Sequence, residues 1–249
     1  MNNPLEVVPI ARRTMTLFFI VDVSGSMYGE KIGAVNTAIR EVIPEIRSIS
    51  SSNADALIKV AVLTFSNGTD WIQKPVEAES FVWNNLSACG GTDMGAAFNE
   101  LNSKLSKNAF MGDASGCYAP VLFLLSDGCP TDNYKNGLTT LQENKWYKAA
   151  IKVALAIGKD ADLNVLTEFT GNKELVLTVH TPEMLKRLIK FVSVTSSKIG
   201  SKSSSVGVSG TSSSSASAGN EVKQAEFAEQ IQEFKEENSD SLSDITDGF

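Results

Sequence analysis

The chain has few of the residues that carry redox or nucleophilic chemistry. Its three cysteines, Cys89, Cys117 and Cys129, are odd in number and form no C-x-x-C pair. That pattern suits reduced thiols in an intracellular protein and argues against a disulfide framework. The single histidine, His180, has no G-x-S-x-G serine or cysteine partner in the sequence, so it reads as structural, where a strand meets a helix cap. A Gly-x-x-x-x-Gly-Lys loop and a dinucleotide glycine fingerprint are also missing, which disfavours nucleotide chemistry. No apolar run approaches the roughly 20 residues of a membrane span. The first 20 residues lack the charged, apolar, then small-residue order of a signal peptide. The expectation is a soluble, cytoplasmic protein with no membrane partner, and a secreted adhesin is disfavoured. Basic charge is scarce as well. The net charge is -7, and residues 201–249 hold three Lys against nine Asp or Glu. Residues 1–200 are close to neutral, and no Lys/Arg cluster is interleaved with aromatics, which excludes nucleic acid as the expected partner.

What is present is a set of buried strands that end in oxygen-bearing side chains. Thr16–Val21 is apolar, β-branched and aromatic, and reads as a strand buried on both faces, over about 16–23. It opens into Asp22-Val-Ser24-Gly-Ser26. Residues 30–49 then carry apolar positions at helical spacing, with Pro44 late in the run, where a proline kinks or ends a helix. Leu57–Phe65 is a second strand, and Asn67-Gly68 is a tight turn. Asp70–Val76 is a short antiparallel third strand, placed near an edge by Pro75. A long loop over 77–91 ends in Gly90-Gly91, and a helix starts at Thr92, followed by Asp93. Pro120–Ser126 is another buried strand, ending at Asp127. Helices are expected over Thr139–Lys148 and Asp162–Phe169, and strands over Lys152–Ile157 and Leu175–Val179. A last helix is capped by Thr181-Pro182-Glu183 and runs to about Val194.

Strands alternating with helices imply βαβ crossovers and a doubly wound, mainly parallel α/β sheet with helices on both faces and one antiparallel edge strand. Ligands on such sheets sit beyond the carboxyl ends of the strands, where strand order reverses. Asp22 and Asp127 both fall at such ends. The domain is expected over residues 13–197, after a loose polar lead-in over 1–12. Residues 201–217 hold ten serines among seventeen, and 198–220 reads as a flexible linker. An acidic tail follows over 221–249. Phe227, Ile231 and Phe234 share one helical face in it, either docking on a partner or on the domain itself, or lying in a solvated tail.

Asp22, Ser24, Ser26, Thr92 and Asp127 form an all-oxygen set with only two carboxylates. Without imidazole or thiolate it suits Mg²⁺, Mn²⁺ or Ca²⁺ and disfavours zinc or copper. Neutral hydroxyls leave an ion's charge incompletely neutralised, so it still attracts an outside carboxylate. Three neighbours have blander readings. Asp93 is a first-turn acid favoured by the helix dipole, or else an acceptor behind Thr92. Asp132 is a turn residue, or else edges the site, and Cys129 is an incidental rim residue.

These three loops, in this order and on these elements, resemble the metal-ion-dependent adhesion site of a von Willebrand factor type A domain. The resemblance implies that Asp22, Ser24, Ser26 and Thr92 ligate a metal, that Asp127 acts directly or through water, and that a partner's Asp or Glu completes the site. Arg13-Thr-Met-Thr-Leu-Phe-Phe-Ile-Val-Asp-Val-Ser-Gly-Ser-Met-Tyr-Gly-Glu-Lys-Ile and Leu-Leu-Ser-Asp-Gly-Cys-Pro-Thr-Asp resemble the bacterial tellurite-resistance TerY-like group. That likeness implies a cytoplasmic, non-enzymatic protein-binding module in a stress or phage-defence system, with an associated kinase or phosphatase as a partner. The alternative from a different class is a metal-dependent hydrolase or phosphatase using the same site.

Overall fold

A computed structural model describes residues 12–179, 181–202 and 215–237. The strands are β1 (Arg13–Asp22), β2 (Ala56–Ser66), β3 (Gly68–Glu77), β4 (Val121–Ser126), β5 (Ile151–Ile157) and β6 (Val176–Val179). The helices are α1 (Glu30–Ser52), α2 (Met94–Lys104), α3 (Tyr134–Glu143), α4 (Lys145–Ala149), α5 (Leu163–Thr170), α6 (Pro182–Lys202) and α7 (Ser215–Glu237). One six-stranded sheet runs in the order β3-β2-β1-β4-β5-β6. Only β3 is antiparallel, paired to β2.

The unbroken apolar run of β1 is explained by its central place. Leu17, Phe19 and Val21 belong to a core shared with Val35, Ile39 and Val42 of α1 and Leu185 and Ile189 of α6. The alternate residues Phe18 and Ile20 belong to a second core with Phe98 of α2, Leu141 of α3 and Phe169 of α5. Period-two side chains thus meet a helical layer on each face, and every position is apolar. The chain leaves β1 through α1 toward β2 and returns through α2 to β4 on the other flank. Strand order therefore reverses between β1 and β4, and the gap at their carboxyl ends is the switch point. Parallel pairing of Val21 with Leu125 brings the ends of the two strands level.

Several boundaries differ from the sequence reading. Pro44 neither ends nor shortens α1, whose buried stripe continues through Ile46 to Ser50. Packing against the sheet outweighs the local cost of the proline. β3 is ten residues long rather than short, and the ladder opposite Pro75 is irregular, with register shifts around Val62. This is how an edge strand accommodates a residue without an N–H. The helix expected over Thr139–Lys148 is two helices. Asn144 breaks it: its side-chain oxygen accepts the Trp146 and Tyr147 amides and caps α4, and its Nδ2 donates to Asn102 Oδ1 at 2.8 Å. A side chain that satisfies the start of a new helix competes with continuing the old one.

Helices also extend into both ends of the segment read as a linker, leaving 203–214 outside the described residues. α7 is longer than the short tail helix expected, and its stripe docks on its own domain. Phe227, Ala228 and Ile231 are buried within the core on the α6 side, and the Phe234 ring lies 4.6 Å from that of Phe191. Apolar burial offsets the weak intrinsic helicity of the segment. At the other end, Arg12 donates to the carbonyls of Ser50 and Asn53, satisfying the carboxyl end of α1. Residues 1–11, His180 and the tail beyond 237 lie outside the described residues.

Candidate metal centre

The five oxygen-bearing residues are carried on three loops at the carboxyl edge of the sheet. Asp22 closes β1 and is fully buried. Its Oδ1 accepts the Ser24 amide at 2.9 Å, which turns the chain away from the strand into a short 3₁₀ turn over Gly25–Met27. Its Oδ2 accepts the Ser126 hydroxyl at 2.6 Å. Burial pushes the Asp22 carboxyl above its ordinary value, the hydrogen bonds from Ser126 and Ser24 oppose that rise, and the nearby Asp127 charge adds to it. Ser24 is buried and Ser26 exposed, with their hydroxyl oxygens 3.0 Å apart.

Asp127 follows β4 and is also fully buried. Its Oδ2 is 3.3 Å from the Lys31 ammonium. Its Oδ1 is buried and has no hydrogen-bond partner. A buried carboxylate oxygen left without a donor is costly, and such a group calls for an explanation such as an ion.

The loop carrying Thr92 is stitched to both of the others. The Gly25 amide donates to the Gly90 carbonyl at 2.9 Å, and the Cys89 amide to Val23 at 2.8 Å. The Thr92 amide donates to Thr131 Oγ1 at 2.8 Å, and the Thr131 amide returns to the Thr92 carbonyl at 2.9 Å. Asp132 accepts the Gly95 and Ala96 amides at 3.0 and 3.1 Å, so a residue from the Asp127 loop caps the amino end of α2. A Cβ at Gly95 would stand 2.8 Å from Asp132 Oδ2 and 2.9 Å from Tyr134 Cα, so this junction requires glycine. Through these links Asp22, Ser24, Ser26, Thr92 and Asp127 gather on one edge.

The amino-acid sequence matches the von Willebrand factor type A domain over residues 16–191. The chain belongs to that family. Its fold is similar to a von Willebrand factor type A protein from Catenulispora acidiphila, at 17% identity and TM-score 0.53, covering 75% of this chain and 43% of that one. It is also similar to the pilus adhesin SpaC from Lactobacillus rhamnosus GG, at 13% identity and TM-score 0.56, covering 74% and 30%. A third likeness is to manganese-loaded TRAP protein from Plasmodium vivax, at 16% identity and TM-score 0.51, covering 71% and 72%. The chain spans less than half the length of the first two. At these identities the likeness is one of fold. No curated protein matches the chain in sequence.

The chemistry of the donor set in this VWA domain fits a hard cation. Two carboxylates and three hydroxyls offer oxygen alone, and the unpaired Asp127 Oδ1 is an acceptor without a donor. Among the described residues no three His, Cys, Asp or Glu side chains gather as a metal-holding group, as expected when hydroxyls make up most of the set. Cys129, exposed at the rim, has its thiol pushed up by burial and by the charge of Asp127. That holds it in the protonated form and makes it a poor soft-metal ligand.

Asp93 and Asp132 depart from their expected roles. Asp93 Oδ2 accepts the Gly68 amide at 2.7 Å and pins the β2–β3 turn to the Thr92 loop, rather than serving as a plain first-turn acid. Asp132 is a helix cap and not a simple turn residue. Ser126, Thr131 and Lys31 carried no assigned role in the sequence reading. Ser126 was the most accessible to it, as the last residue of β4, level with Asp22. Thr131 and Lys31 act on residues 39 and 96 positions away, where nothing local signals them.

Proposed function

We propose that this VWA domain is a divalent-metal-dependent protein-binding module. Asp22, Ser24, Ser26, Thr92 and Asp127 would hold one Mg²⁺, with Mn²⁺ or Ca²⁺ as substitutes. When bound, the ion supplies positive charge that attracts an Asp or Glu of a protein partner. The observation that carries this reading is the buried, unpartnered Asp127 Oδ1 beside the Asp22–Ser24–Ser26 chain. The manganese held by the TRAP protein and the adhesive role of SpaC, each named for proteins of the same fold, support it.

The chain's own residues prepare the site. Ser126 and the Ser24 amide hold the Asp22 carboxylate by both oxygens, fixing its plane. The Thr131 and Asp132 contacts hold the Thr92 loop against the Asp127 loop. Such restraint lowers the entropy lost when a ligand is ordered. It also favours binding over turnover, because a carboxylate with both oxygens engaged is poorly disposed to attack a substrate. Exposed Tyr28, just beyond Ser26, and Leu163, at the start of α5, offer apolar surface on the same edge of the sheet.

The finer reading follows the TerY-like resemblance: a cytoplasmic component of a tellurite-resistance, stress or phage-defence system, with a kinase or phosphatase as its partner. Among the described residues no helix is long and apolar enough to cross a membrane. The test is titration with Mn²⁺ followed by electron paramagnetic resonance, then capture of partners with and without EDTA. One bound Mn²⁺ in the wild type and none in Asp22→Ala are expected, with partner capture lost in both EDTA and the variant. Normal partner binding by a folded Asp22→Ala protein would refute the proposal, and Mg²⁺-dependent phosphatase turnover lost in Asp22→Asn would favour the hydrolase.

A further inference from the structure

Lys31 lies in the first turn of α1, and its ammonium reaches two carboxylates on different loops. It stands 3.3 Å from Asp127 Oδ2 and 2.7 Å from Asp160 Oδ1. The Asp127 side chain is 1% exposed, that of Lys31 13% and that of Asp160 70%. The ammonium therefore spans the step from the buried floor of the metal edge to its solvent face. Its path is built into the backbone. Gly158, just after β5, has φ +94°, and a Cβ there would stand 2.5 Å from Lys31 Cε and 3.1 Å from its Nζ. A side chain there would have to displace the tip of the lysine and the Asp160 carboxylate, 2.8 Å from the same Cβ.

The two oxygens of Asp127 are thus treated differently. Oδ2 is engaged by Lys31, and Oδ1 is left bare. We propose that Lys31 is a positioning residue of the metal site: it keeps Asp127 from turning both oxygens to the ion, and it adds a fixed positive charge to the face that receives the partner carboxylate. This rests on the reading of the five oxygens as a metal site and deepens it. Lys31 weakens metal binding, by repelling the ion and occupying half of a ligand. In the same stroke it strengthens capture of an anion, because the loaded site carries one more positive charge than its oxygen ligands alone would leave. Asp160, on the solvent side, offsets part of that charge.

Opposite signs separate this role from a merely structural one. A lysine that only staples loops together would, when removed, loosen the site and weaken both metal and anion binding. The experiment compares wild type, Lys31→Met, Lys31→Arg and Asp160→Asn in the full chain. Mn²⁺ affinity is read by electron paramagnetic resonance. Binding of acetate to the Mn²⁺-loaded protein is read from the loss of water-proton relaxation. A unit charge a carboxylate's width from a divalent ion, at water-like screening, corresponds to roughly tenfold in affinity. Lys31→Met is expected to bind Mn²⁺ about tenfold tighter and acetate several-fold more weakly. Lys31→Arg should restore both values, and Asp160→Asn should move both in the opposite direction. A wild type that binds no Mn²⁺ overturns the metal site itself. A wild type that binds, with Lys31→Met unchanged or weaker for Mn²⁺, overturns the role of Lys31 alone.

Discussion

Replacing Ser126 by alanine tests the site at the point where two of its loops are joined. The Ser126 hydroxyl is fully buried; it donates to Asp22 Oδ2 at 2.6 Å and accepts the Gly128 amide at 2.9 Å. Alanine removes both partners at once and opens almost no volume. A hydrogen bond to a buried charge contributes about 1.5–3 kcal/mol, and a buried amide left unsatisfied costs about 1–3 kcal/mol. Allowing for partial relaxation, the metal-free protein should lose about 3 kcal/mol. For a domain of this size that corresponds to roughly 6–12 °C in Tm.

The loss should also depend on pH, and its sign follows from Asp22. Burial raises the folded-state pKa of this carboxyl, so the folded protein takes up a proton before the unfolded chain does. That contribution favours folding at low pH and turns unfavourable as pH rises through the folded value. Ser126 stabilises the charged form, so its removal raises the folded pKa further. The penalty of Ser126→Ala must therefore shrink as pH falls and Asp22 takes up its proton. Chemical denaturation followed by circular dichroism in EDTA, at a series of pH values from 7.5 downward, measures both quantities. A loss below about 1 kcal/mol at pH 7.5, or a loss that does not change with pH across the series, would show that Asp22 is not held in the buried, charged geometry described.

Other substitutions probe separate parts of the same argument. Asp22→Asn should abolish Mn²⁺ binding while leaving the metal-free protein as stable as the wild type or more so, because it removes a charge that burial disfavours; a calorimetric Mn²⁺ titration and a melting curve decide it. Phe227→Ala should cost about 3–4 kcal/mol in a denaturant titration, since the ring is fully buried in the core beneath α7; a loss under about 1 kcal/mol would mean that α7 does not pack. Lys152 is buried, and desolvation pushes its pKa down to about 8 from 10.5. The unfolded chain then holds the extra proton between those values, so stability rises with pH across that window and the full cost is present below it. Lys152→Met should accordingly stabilise the protein at pH 7 by about 2 kcal/mol, discounted for the lost contacts to the Tyr147 ring and two carbonyls, with the gain fading by pH 10.5; a gain independent of pH would contradict it.

The oxygen-bearing residues of the candidate site could be read from the sequence because each is tied to a local signal. Asp22 and Asp127 close apolar runs long enough to be strands, and the alternation of strands with helices implies a parallel sheet with its cleft at their ends. One topological rule then brings together two residues 105 positions apart in the sequence. The same local reasoning misled at Asn144 and Pro44, and left the docking of the tail open. The deciding contacts were a side chain capping the next helix, a buried face strong enough to carry a proline and, for the tail, burial of Phe227 in the core and packing of Phe234 against Phe191 of α6.

What holds these residues in place is invisible by the same measure. Ser126 reaches Asp22 across 104 positions, Thr131 meets Thr92 across 39, and Lys31 meets Asp127 and Asp160 across 96 and 129. None of these pairs leaves a periodicity or a spacing, because each is set by strand order and not by chain order. The difference has a functional consequence. A sequence that kept Asp22, Ser24, Ser26, Thr92 and Asp127 but lost Lys31 or Ser126 would still carry the whole candidate set. It would nevertheless present a differently charged and less rigid site, and the proposal then expects a different balance of metal and anion binding. On the proposed function, the identity of the five residues sets which class of ion can bind, and the long-range partners set how much of its charge remains for a partner protein.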